Sequence, residues 1–284
     1  MKRSILLLAG MAFMVSAMAQ DAELANPESI NSDGQFFYVT NIGKALAPAE
    51  KDGDGFISKV GTDGKIITAS ITTEKLNAPK GTAIIKGVLY VTDIDRIVGI
   101  DLASGKKVAE VSLSSANTSF ANDLTVKDDN TLFVSATDVG KVFEANLKTG
   151  QVQLIADVKG ANGLWYDKAT NRLYTCSFSF ENMQGGEIGV ISWKEKKPVY
   201  ETIGNIHGAF DGLAMIDKNT LIVSDWGAMD HPAGFVEKID LTTKTATKLD
   251  WPVFSGPADF YLDAKQKRLI IPELVAGKVV MQKL

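Results

Sequence analysis

Phe210-Asp211-Gly212-Leu213-Ala214 is the phrase on which the sequence turns, because it is echoed at intervals along the chain. Ala161-Asn162-Gly163-Leu164 and Ala121-Asn122-Asp123-Leu124 repeat it, and Pro27-Glu28-Ser29-Ile30 is a looser copy. Pro79-Lys80-Gly81 and Pro257-Ala258-Asp259 fill the same slot with different chemistry. Each copy begins a β-like run, and the spacing of about 40–50 residues is that of a propeller blade.

Outward from these openers the runs are short and rich in β-branched and aromatic residues, as in Leu89-Tyr90-Val91-Thr92, Leu132-Phe133-Val134-Ser135 and Leu221-Ile222-Val223-Ser224. Asp-Gly, Ser-Gly and Thr-Gly pairs stand at the joints, where tight turns need positive backbone angles. Beyond the N-terminal segment, no stretch keeps an apolar period of about 3.6 residues for the length of a helix. The expectation is an all-β chain: a six-bladed β-propeller of four-stranded antiparallel blades. The sixth unit ends after its third run, so residues 21–25 are expected to complete the last blade.

Residues 1–19 read as a cleaved signal peptide. Lys2 and Arg3 precede an apolar stretch at 5–15, and Ala17-Met18-Ala19 has the form of a cleavage site. The apolar stretch is shorter than the roughly 20 residues of a membrane span, so no stable membrane insertion is expected. Residues 20–284 then form one propeller domain, periplasmic or secreted. At a formal net charge of −4 with no basic run, the chain offers nucleic acid no electrostatic footprint. Cys176 is the only cysteine, so no internal disulfide forms, and its apolar run marks it as a buried small side chain.

In a propeller the inner strand of every blade starts beside the central channel. The openers Glu28, Lys80, Asn122, Asn162, Asp211 and Ala258 therefore converge on one axis. Two carboxylates and two amides among them form a hard oxygen set suited to Ca²⁺ or another divalent metal. Zinc is less natural, because the two histidines and the cysteine lie far apart. No separate organic cofactor is indicated. Strand-opening Asn and Asp beside Gly are also common turn formers, which is the plainer reading.

The order Glu28, Asn122, Asn162, Asp211 over successive motifs resembles the SMP-30/gluconolactonase/LRE-like family of calcium-dependent six-bladed propellers. That resemblance spans nearly all of residues 20–284. It implies metal-assisted hydrolysis of a lactone or related ester, with Asp211 both a ligand and the general base or nucleophile. Asp123 would stand beside the metal and contact substrate or bound water. Sugar-acid lactonases of the family carry arginine where Phe120 stands, so a more apolar small-molecule substrate is expected. Lys80 would partly replace that charge, or else pair with Glu28 or Asp211. The alternative is a non-catalytic NHL-like propeller that binds a protein, peptide or glycan.

Other signals are weaker. Glu50 to Ile57 resembles the front of an EF-hand loop, but Gly61 stands where the bidentate Glu belongs and a β-run follows. Ser104-Gly105-Lys106 lacks the remainder of a phosphate loop and reads as a turn. His207 precedes Asp211 closely enough to be a candidate at the channel, and His231 lies in a loop. Trp226, Trp165 and Phe180 are candidates for the wall of a pocket, or for packing between sheets.

Overall fold

The computed structural model describes residues 23–284, and the expected signal peptide at 1–19 lies outside them. The described residues fold into 23 strands and one short 3₁₀ turn at Ser114–Ala116. Blade one holds β1 (Pro27–Ser32), β2 (Phe37–Asn41), β3 (Phe56–Val60) and β4 (Ile66–Thr68). Blade two holds β5 (Pro79–Ile85), β6 (Val88–Asp93), β7 (Arg96–Asp101) and β8 (Lys107–Ser112). Blade three comprises β9 (Ala121–Asp128), β10 (Thr131–Ala136), β11 (Lys141–Asn146) and β12 (Val152–Asp157). The fourth is β13 (Ala161–Asp167), β14 (Arg172–Ser177), β15 (Gly186–Lys194) and β16 (Lys197–Gly208). The fifth is β17 (Phe210–Asp217), β18 (Thr220–Asp225), β19 (Phe235–Asp240) and β20 (Thr245–Lys248). The sixth has β21 (Tyr261–Asp263), β22 (Arg268–Glu273) and β23 (Lys278–Lys283).

Every sheet runs in sequence order with antiparallel neighbours, and the inner strands β1, β5, β9, β13 and β17 contact one another in turn. This is a six-bladed β-propeller. Turn residues behave as their chemistry requires: Gly150, between β11 and β12, has φ +70°, a conformation that costs any side chain with a Cβ.

The core is divided between blades rather than gathered at a centre. Tyr38 and Ile57 of blade one pack with Leu89 and Val98 of blade two. Phe133 of blade three packs with Leu173 and Ile191 of blade four. Ile222 of blade five meets Leu269 of blade six, and Ile270 of blade six meets Val39 of blade one. Each sheet is therefore apolar on both faces, which explains why the runs read as nearly continuous hydrophobic stretches. Among the described residues no helix is long and apolar enough to cross a membrane.

The segment expected to complete the last blade falls partly outside the described residues. Among the described residues the sheet of that blade has three strands. Residues 23–25 form no strand, and residues 21 and 22 lie outside the described part. The local polar groups are engaged elsewhere. Ala25 N donates to Asn41 Oδ1, and the carbonyls of Ala25 and Asn26 accept from Gly43 and Ile42 at the end of β2. At the axis the first and last blades meet where Asp259 N donates to the Glu28 carbonyl at 3.0 Å.

Candidate functional site

The openers reach the axis because their strands are bulged. In β1, β5, β9, β13 and β17 the pairing slips by one residue after the first position: Pro27 faces Asn41 but Ile30 faces Val39, and Phe210 faces Asp225 but Leu213 faces Val223. Such a bulge leaves an extra residue outside the ladder and re-aims its side chain. The re-aimed residues are Glu28, Lys80, Asn122, Asn162 and Asp211, and all five line one cavity of about 290 Å³. Ala258, the sixth opener, packs in the apolar cluster with Ile42, Trp226 and Leu274 at the same end.

Hydroxyls on the second strands hold these bulges. Thr40 Oγ1 accepts from Ser29 N and donates to the Lys80 carbonyl, joining blades one and two. Ser224 Oγ likewise accepts from Gly212 N and donates to the Ala258 carbonyl. Thr92 Oγ1 donates to the Asn122 carbonyl. After four of the openers the next residue is small (Ser29, Gly81, Gly163 and Gly212), and neighbouring strands touch there: a Cβ on Gly163 would stand 2.2 Å from the Asp211 carbonyl oxygen. Gly163→Ala is therefore expected to cost about 2–3 kcal/mol of stability in urea unfolding. An unchanged midpoint would show that the inner strands are free to part.

The floor of the cavity is acidic and buried. Glu28 and Asp211 are each 5% exposed, and Glu28 Oε2 and Asp211 Oδ1 have no hydrogen-bond partner. Burial pushes the Glu28 carboxyl well up, reinforced by Asp211 and Asp259 and opposed by Lys80. Burial likewise moves Asp211 up to about 7, against the hydrogen bond that Trp226 Nε1 donates to its Oδ2 at 2.8 Å. Asn122 Nδ2 donates to Thr137 Oγ1, and Asn162 Nδ2 to the Phe210 carbonyl, each using one of its two N–H groups.

Lys80 does not fill this acidic floor. Its Nζ donates to the carbonyls of Pro48 and Ala78, at 2.6 and 3.1 Å, and stands 4.5 Å over the Phe120 ring. Burial lowers its amine to about 8, with Glu28 pulling the other way across the cavity. The lysine thus pins the loop after β2 to the cavity wall, and the pairing with Glu28 or Asp211 is not made.

Two candidates lie elsewhere. Asp123 follows its opener, so the bulge turns it down the axis, where it lines a second cavity formed by the later residues of the same inner strands. Its carboxylate accepts from the backbone N–H of Leu124 and of Leu164, both at 2.6 Å, and so ties blade three to blade four. It belongs with Ser29 and Asp259, whose side chains bond at 2.5 Å, in a ring beneath the openers. His207 is exposed on β16, the outermost strand of blade four, opposite Glu187 and bonded to Asn205. The strand is 12 residues long, and it carries the histidine away from the axis before the chain turns back at Phe210. Trp165 also lines the second cavity, whereas Trp226 and Phe180 line the first. The EF-hand-like segment is a loop ahead of β3, and Cys176 is buried and free, its thiol directed at the Asp211 carbonyl.

The second-strand hydroxyls escaped the sequence reading, although they recur visibly: Val39-Thr40, Val91-Thr92, Val134-Ser135 and Val223-Ser224 share one position in their blades. Thr137 and Phe178, also in the cavity wall, carry no comparable signal.

Among the described residues no three His, Cys, Asp or Glu side chains form a metal-binding group. The four oxygen donors at the cavity floor include two amides, and they fit a hard cation through the two unpartnered carboxylate oxygens.

No protein-family model matches the chain, and no curated protein does. Solved structures do. The β-propeller domain of Cps50 (Swd1) from Myceliophteria thermophila is similar at a TM-score of 0.60 and 9% identity, over 94% of this chain and 100% of that one. Streptogramin B lyase is similar at a TM-score of 0.61 and 14% identity, over 92% and 96%. A chain of the nidogen/laminin complex is similar at a TM-score of 0.55 and 14% identity, over 91% and 93%. At such identities the likeness is one of fold, and it places this chain among the β-propellers.

Proposed function

We propose that the chain is an exported, divalent-cation-dependent hydrolase of a lactone or related ester, with the cavity at the strand openings as its active site. The observation that carries this reading is the pair of unpartnered, buried carboxylate oxygens of Glu28 and Asp211 on one cavity floor. Burying two carboxylates side by side is costly unless something positive compensates them, and Lys80 is committed elsewhere. Glu28, Asn122, Asn162 and Asp211 would hold Ca²⁺, whose chemistry there is the polarisation of a carbonyl oxygen.

The chain's own groups have separable roles. Trp226 holds Asp211 through Oδ2, so that the carboxylate is kept in one orientation as the group that would take a proton from an attacking water. Phe120 and Phe178 wall the floor off from solvent. Asp123 keeps the strands in register and takes no part in the chemistry.

Hydrolysis of a panel of lactones and carboxylic esters by the mature chain tests the reading. Turnover is expected to need the cation and to fall by about 10²–10⁴-fold in Asp211→Asn, with the fold retained in circular dichroism. Cation binding without turnover of any panel member would instead favour a non-catalytic propeller that binds a protein, peptide or glycan.

A further inference from the structure

Of the nine large apolar side chains exposed among the described residues, four gather at one opening. Leu46, Phe180, Met229 and Val275 are 52%, 60%, 51% and 54% exposed, and all four border the same cavity. They come from four separate loops, each joining the second and third strands of its blade: blades one, four, five and six. An isolated exposed apolar residue needs no explanation, but four converging on one opening mark a binding surface.

The wall below the collar continues it. Phe180 packs at 5.9 Å from Phe120 and 5.0 Å from Phe178, and Phe178 at 5.9 Å from Trp226, so aromatic surface runs from the rim to the floor. Polar groups are confined to the floor. The single cation in the lining, Lys80, is 1% exposed and held by two carbonyls, and no arginine lines the cavity. An anionic ligand would meet Glu28 and Asp211 with no free positive partner from the chain, and a polyhydroxylated ring would leave its hydroxyls against Phe178 and Trp226.

We propose that the substrate is a neutral lactone or ester bearing an apolar chain. Its polar head is seated on the floor, and its chain runs up the aromatic wall and out across the collar of Leu46, Phe180, Met229 and Val275. This deepens the hydrolase reading of the same cavity, and only its turnover arm depends on that reading.

The test is a chain-length series in two arms. One measures kcat/KM for δ-lactones carrying methyl to octyl chains. The other measures binding of 2-alkylcyclopentanones, which cannot be hydrolysed, by thermal shift. Each added methylene is expected to raise both kcat/KM and affinity about fourfold until the chain clears the collar. Leu46→Ser/Val275→Ser is expected to flatten the slope, whereas Val108→Ser, equally exposed on an outer strand, leaves it as it was. A slope in the ketone arm without lactone turnover would sink the hydrolase reading and the substrate role, and would keep the collar and wall as a binding site for a neutral ligand with an apolar chain. A flat series in both arms, a preference for gluconolactone, or a slope indifferent to the collar variant would overturn it.

Discussion

In chelator, the thermal midpoint of residues 20–284 is expected to fall as the pH is raised from about 4 to about 7. Asp211 and Asp259 are moved up to about 7, and Glu28 and Asp123 lie well above their ordinary values, in every case chiefly through burial. In the unfolded chain these groups ionise near 4. Between the two values the native protein holds more protons than the unfolded chain, so stability declines with each step in pH and levels off above the folded values. One carboxyl moved by roughly three units corresponds to about 4 kcal/mol, or roughly 8–16 °C for a domain of this size. The four share one axis, so each ionisation makes the next harder and their effects do not add.

Surface carboxylates set the other limit. Asp33 and Asp240 are lowered by the backbone N–H groups they accept, although burial of Asp33 opposes the shift. Their stabilisation is present above about 4 and is lost only as the pH falls below it. The chelated protein should therefore be most stable near pH 4–5, an unusual optimum for a chain with this net charge. Saturating Ca²⁺ should reduce the decline, because the cation takes the place of the protons on Glu28 and Asp211 and leaves those on Asp123 and Asp259. A midpoint that is flat or rising from pH 4 to 7 in chelator would show that the buried carboxylates are compensated from within the chain.

Much of this was legible in the sequence. The blade repeat, the alternation of strands and turns, and the convergence of Glu28, Asn122, Asn162 and Asp211 all follow from periodicity and from where a propeller's inner strands begin. What was not legible turns on single residues of register. A bulge of one residue decides that Asn122 faces the upper cavity and Asp123 the lower, and no composition rule distinguishes adjacent polar residues in such a strand. His207 is near Asp211 in sequence, but the chain between them turns from an outer strand to an inner one. Lys80 was placed on the axis correctly, but its partners are backbone carbonyls, which a sequence does not advertise. The collar is invisible for a similar reason: Leu46, Phe180, Met229 and Val275 are single apolar residues in polar loops until the ring brings the loops together.

The double variant Glu28→Gln/Asp211→Asn is expected to reverse its rank against the parent when the cation is supplied. At pH 8 in chelator, the parent carries an ionised Asp211 near Glu28, whose carboxyl burial also pushes well up, whereas the amides carry no charge. Asn at 211 still offers an oxygen to Trp226 Nε1, so the wall is kept. The variant should thus melt above the parent in chelator. Ca²⁺ at a hundredfold excess over its dissociation constant adds about 2.7 kcal/mol to a protein that binds it, or roughly 5–10 °C here. The parent should gain that rise and the variant should not, so the two curves cross as the cation is titrated. At pH 5 the difference in chelator should shrink, because protons already neutralise the parent's floor. Structural carboxylates would give the opposite pattern, with the variant less stable in chelator and in Ca²⁺ alike. Stability surrendered by the empty site and recovered with a ligand is the signature of residues kept for binding rather than for folding.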